Sequence, residues 1–95
     1  MKIESIRHKA LRAFVDTGKP KGLDAQLVGR LRNMIAFLIA AEDVEELKIP
    51  PNFGFHILKG DRAGTAAMTV TRNWRLTFRF NDDDQIIDMD LEDYH

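Results

Sequence analysis

No cysteine occurs among the 95 residues. Disulfides, thiolate zinc sites and a cysteine nucleophile are therefore excluded, and the composition fits a reducing compartment. No apolar run approaches the roughly 20 residues that span a bilayer, and the opening Met1-Lys2-Ile3-Glu4-Ser5-Ile6-Arg7-His8 lacks the apolar stretch of a secretory signal. The expected setting is cytoplasmic, with no membrane partner. Positive charge is missing from the C-terminal stretch. All 14 Lys and Arg lie in residues 1–80, whereas residues 81–95 hold 7 of the 15 Asp and Glu.

This charge split has two readings. A basic body attracts an anionic partner, such as nucleic acid or an acidic protein segment. Alternatively, the acidic stretch neutralises basic side chains on a neighbouring strand of the same molecule. The length fits one domain, 1–95. A domain this small buries only part of its surface, so its core must come from one sheet and a few helices.

Lys2 to Ile6 reads as a short strand. Within residues 7–17, Ala10, Leu11, Phe14 and Val15 fall at helical spacing, and Gly18 is placed to end that helix. A second helix is predicted from Asp24, a good N-cap residue, to about Ala41. Its buried stripe is Leu27, Leu31, Met34, Ile35 and Leu38. A short helical piece over Val44 to Leu47 is stopped by Ile49-Pro50-Pro51. The remainder alternates like strands. Phe53, Phe55 and Ile57 alternate with Gly54 and His56, and Met68 and Val70 with Thr69 and Thr71. Trp74, Leu76, Phe78 and Phe80 alternate with Arg75, Thr77 and Arg79; Ile87, Met89 and Leu91 alternate with Asp88, Asp90 and Glu92. Helices first and a strand meander afterwards predict an α+β fold, with N-terminal helices packed on one face of a twisted antiparallel β-sheet.

The other face of that sheet is wet. Opposite charges on its adjacent strands contribute roughly 0.2–1 kcal/mol per pair, which explains most of them without any function. Setting those pairs aside leaves His56, Lys59, Arg62, Arg72, Arg75, Asp93, Tyr94 and His95. In a meander these segments can meet at one end of the sheet. The set suits cleavage of an RNA phosphodiester. His56, His95 or Asp93 can serve as general acid or base, since imidazole titrates near neutral pH. Lys59, Arg62 and Arg75 can stabilise charge developing on phosphorus, and Tyr94 can stack on an unpaired base. The histidines and aspartate lack a recognised metal-ligand spacing, so no metal is called for. Each residue also has an ordinary role: His56 as surface polarity on a strand, Lys59 and Arg62 as solvated loop charges, Tyr94 packed at a sheet edge, His95 at a frayed end.

Three blocks carry a resemblance. They are Phe55-His56-Ile57-Leu58-Lys59-Gly60-Asp61-Arg62-Ala63-Gly64, Val70-Thr71-Arg72-Asn73-Trp74-Arg75-Leu76-Thr77-Phe78, and Asp90-Leu91-Glu92-Asp93-Tyr94-His95. In this order and spacing they resemble the HigB-type toxins of the RelE/ParE superfamily; Ile6-Arg7-His8-Lys9-Ala10-Leu11 looks similar too. The resemblance covers nearly the whole chain. It implies a RelE-like fold and the toxin of a type II toxin–antitoxin system: a ribosome-dependent, metal-independent endoribonuclease. Such an enzyme cleaves messenger RNA in the decoding site by attack of a 2′-hydroxyl on the adjacent phosphate, without a cofactor. By resemblance His56 takes the place of a catalytic histidine, and Asp93, Tyr94 and His95 that of the C-terminal active-site group. Lys59 and Arg75 would stabilise the phosphate, and Arg62 and Arg72 would hold RNA backbone. The implied partners are a HigA-like helix-turn-helix antitoxin and the ribosome, with operator DNA bound only through the antitoxin.

One departure stands out. Where the family usually has a bulky residue after the loop glycine, this chain has Gly64-Thr65-Ala66-Ala67-Met68, leaving Phe53, Phe55 or Met68 to fill the space. In an unchanged core, a Trp→Ala cavity would cost roughly 3–5 kcal/mol. Two other function classes remain at this point. ParE-like relatives poison DNA gyrase without cutting RNA and need neither His56 nor the terminal Asp-Tyr-His. A decayed toxin would be a harmless binding module.

Overall fold

A computed structural model describes residues 1–93; Tyr94 and His95 lie outside the described residues. Helix α1 spans Lys9–Thr17. It starts where His8 caps it, the imidazole Nδ1 accepting from the Leu11 N–H at 3.1 Å. Gly18 ends it at φ 77°, a left-handed turn that a residue without Cβ adopts at little cost. Helix α2 spans Ala25–Ala40, and Asp24 Oδ1 accepts from the Gln26 N–H at 3.0 Å at its start. A 3₁₀ turn follows at Glu45–Lys48.

Strands β1 (His56–Ile57), β2 (Ala66–Thr69), β3 (Trp74–Phe80) and β4 (Ile86–Asp93) form an antiparallel meander in that order. The expected α+β architecture is therefore present. The strand expected over Phe53 to Ile57 is shorter than its alternation implies. Phe53 and Gly54 take φ values of 55° and 71°, which turn the chain before β1. The loop over residues 58–65 lies at one end of the sheet and the β2–β3 hairpin at the other, because successive turns of a meander alternate ends.

The predicted parity of β4 is wrong in its first half. Arg79 pairs with Ile87 but Thr77 pairs with Asp90, so the partner strand carries one extra residue opposite Phe78. Asp88 absorbs it at φ 54°. Ile86 and Met89, three apart, therefore both reach the core, while Ile87 is half-buried. The same bulge breaks the strand expected at Lys2 to Ile6. That segment runs parallel to β4 through isolated bridges, Ile3 with Ile86 and Ile6 with Met89. At the break, the Ser5 hydroxyl accepts from the Asp88 N–H at 2.8 Å.

One core joins the layers. Leu11 and Phe14 from α1 and Leu27, Leu31, Met34, Ile35 and Leu38 from α2 pack on Met68, Leu76, Phe78, Ile86, Met89 and Leu91 from the sheet. Ala66 stands opposite Phe78 in this core, and the Phe55 ring lies 6.3 Å from that of Phe78. Phe55 and Met68 are both buried there. Phe53 packs elsewhere, edge-on to Phe37 at 5.6 Å.

Candidate functional site

The sheet face turned from the helices is set by cross-strand register. His56, Ala67, Thr77 and Asp90 form one row across all four strands, and directly paired residues share a face. Thr69, Arg75 and Glu92 form the next row. A cleft on this face is lined by Arg7, Asp61, Arg62, Thr65, Thr77, Arg79, Asp88, Asp90 and Glu92. Thr65 and Thr77 are buried in it despite their hydroxyls. Their oxygens are satisfied locally: Thr65 Oγ1 accepts from Arg79 Nη1 at 3.0 Å, and the Thr77 hydroxyl donates to the Glu92 carboxylate.

Glu92 is the hub of the cleft. Arg62 crosses from the 58–65 loop and donates through Nη1 and Nη2 to both carboxylate oxygens, each at 2.7 Å. Arg75, from the paired position on β3, approaches the same carboxylate at 3.5 Å. The paired Arg62 N–H donors outweigh the burial that would favour the neutral acid. With help from Thr77 and the charge of Arg75, they hold the Glu92 carboxyl down at about 2. Reciprocally, the Arg62 guanidinium is raised, first by its bonds to Glu92.

His56 is exposed on the same face, two strands from Thr77. Its Nδ1 lies 2.9 Å from the Gly54 carbonyl oxygen. A carbonyl only accepts, so this contact places a proton on Nδ1 and leaves Nε2 as the nitrogen not engaged by Gly54. Gly54, at φ 71°, makes this turn, and a Cβ there would come within 3.2 Å of Thr69 Oγ1.

The other sequence candidates are spread over the molecule. Arg62 and Arg75 meet at Glu92. Lys59 is exposed at the start of the 3₁₀ turn Gly60–Arg62, at the loop end of the sheet. Arg72 is exposed in the β2–β3 hairpin, at the opposite end. Asp93 ends β4 opposite Trp74, on the parity of the helix-facing side. The candidate segments thus do not gather at one end; Arg62 joins the face by reaching across it. The roles considered for Tyr94 and His95 fall outside the described residues.

Sequence reasoning missed Glu92 as a hub and Arg7 and Arg79 as cleft residues. Strand parity carried a signal for Arg79, which alternates with the buried Phe78 and leaves the sheet beside Arg75 and Thr77. Nothing local marked Arg7, which is brought in by the parallel bridge of its neighbour Ile6 to Met89. Chemically, the cleft sets the guanidinium groups of Arg7, Arg62 and Arg79 among the carboxylates of Asp61, Asp88, Asp90 and Glu92, and His56 stands outside its lining on the same sheet face.

Residues 4–95 match the model of the HigB-like toxins, described as the RelE-like toxin of type II toxin–antitoxin system HigB. A relative from Proteus vulgaris, named Endoribonuclease HigB, is 38% identical over 93 residues, covering 98% of this chain and 99% of the relative.

Proposed function

Because the chain belongs to the HigB-like toxins, RelE-like proteins of type II toxin–antitoxin systems, we propose that it is an endoribonuclease acting on ribosome-bound messenger RNA. The observation that carries the reading is the sheet face that holds the Arg62–Glu92–Arg75 junction and also presents the exposed His56. Membership in the family gives the protein an antitoxin as partner. We assign that role to a HigA-like helix-turn-helix protein, through which operator DNA is bound. Among the described residues, no helix is long and apolar enough to cross a membrane. A cytoplasmic site of action follows from the ribosomal substrate.

In the proposed reaction the 2′-oxygen attacks the adjacent phosphorus as its proton passes to a base. The bond to the 5′-oxygen breaks as that oxygen receives a proton from an acid, leaving a 2′,3′-cyclic phosphate and a 5′-hydroxyl. We assign these two proton transfers to His56 and His95; Asp93 lies on the parity of the opposite face and is assigned none. Tyr94 stacks on the base beside the scissile link. Lys59 and Arg75 stabilise the dianionic phosphorane, and Arg62 and Arg72 hold flanking phosphates. The register supports this division for Arg75, which stands one row from His56 on the same face.

Expression of His56→Ala and of His95→Ala in growing cells tests the assignment. Each substitution is expected to lower cleavage by about 10²–10⁴-fold and to restore growth, with thermal unfolding unchanged. Mapping messenger 5′ ends after brief induction should show new ends for the parent chain and none for the variants. Growth arrest without new ends would overturn the nuclease reading in favour of another toxic target.

A further inference from the structure

We propose that Glu92 is a positioning residue for the cleavage reaction: it aligns the Arg75 guanidinium toward the scissile phosphate and that of Arg62 toward a flanking one, without touching the substrate. The inference rests on the endoribonuclease reading. Its basis is a three-way junction. One carboxylate receives Arg62 from the 58–65 loop and both Arg75 and Thr77 from β3. These partners are 30, 17 and 15 residues away in sequence.

The geometry favours alignment over mere neutralisation. Thr77 is buried and donates to Glu92, so the carboxylate is fixed from below. Arg62 engages it through Nη1 and Nη2, one N–H from each. A guanidinium has five N–H donors, so Nε–H and one outward N–H on each Nη remain for a phosphate. The Arg62 side chain is 42% exposed, so pairing with Glu92 does not bury it. A long loop arginine would otherwise lose rotamer freedom on meeting the substrate, and Glu92 takes that loss in the free protein.

The alternative is a purely electrostatic or structural role, and Glu92→Gln separates the two. The substitution keeps the shape and removes one negative charge from a cleft that must accept RNA. A charge-only role makes messenger binding tighter and cleavage as fast or faster. A positioning role makes single-turnover cleavage at saturating toxin slower by about 10–100-fold, with messenger affinity unchanged or tighter. A structural role lowers rate only in proportion to the unfolded fraction, which thermal unfolding measures.

The experiment uses purified full-length chain and ribosomes programmed with a defined messenger. Wild type, Glu92→Gln, Arg62→Ala and the double variant are compared. If Glu92 acts partly through Arg62, its substitution slows cleavage less in the Arg62→Ala background than in wild type. Thr77→Val, which removes only the hydroxyl donor, is expected to slow cleavage several-fold and serves if Glu92→Gln does not fold. Wild-type rates for Glu92→Gln, or for Thr77→Val in its place, overturn the proposal. So do effects of Glu92→Gln and Arg62→Ala that multiply independently. Failure of the nuclease reading itself is distinct: the wild-type chain would then leave the programmed messenger intact.

Discussion

A single carboxylate couples the charge of this chain to its pH response. Glu92 is held at about 2 in the fold against an ordinary value of 4.5. A depressed folded value means that the unfolded chain takes up the proton first. The stabilisation from Glu92 is therefore complete above about pH 4.5 and is lost as pH falls from there toward 2. Urea midpoints measured from pH 7 downward should decline through that window, and Glu92→Gln should flatten the decline. An unchanged profile in the variant would show that other carboxylates govern acid unfolding. The junction was not legible in the chain itself. Alternation placed Arg75 and Glu92 on wet strand positions, but no spacing rule links a loop residue to a strand residue 30 positions away.

Among the elements, the helices were read closely and the strands less so, for a physical reason. Helix ends carry chemical marks: Asp24 caps α2 with its side chain, and Gly18 closes α1 in a left-handed turn. Nothing lies within 4 Å of a Cβ built at Gly18, so Gly18→Ala isolates the backbone cost. The expected loss is about 1–2 kcal/mol by urea denaturation, and a loss near zero would mean that the helix end rearranges. The bulge in β4 carries no such mark. Asp88 is an acidic residue among acidic residues, and its positive φ shifts the inward set from Ile87 to Ile86. Likewise, Phe53, Phe55 and Ile57 alternate as a strand would, yet strand pairing begins only at His56. Phe53 turns aside at φ 55° to pack on Phe37, so tertiary contact overrides local alternation.

At the scale of the whole molecule, one core serves both helices and the sheet. Leu31 and Leu38 of α2 are fully buried within it. Leu31→Ala is expected to lower stability by about 2–5 kcal/mol. Trp74 fluorescence and far-ultraviolet circular dichroism should still report the same midpoint, as one cooperative unit requires. Separated midpoints would mean that helices and sheet unfold independently. The basic body and acidic C-terminal stretch are reconciled here as well. The self-pairing reading of that split holds for Glu92, which pairs within the molecule with Arg62 and Arg75.

Residues 3 and 6 find their partners only at residues 86 and 89. On a growing polypeptide, the opening segment must wait for nearly the entire message to be decoded. Arg62 likewise meets Glu92 only after β4 is made. Until then neither the flank of β4 nor the arginine junction exists. The arginine junction is thus a property of the finished sheet, and no earlier part of the chain can assemble it.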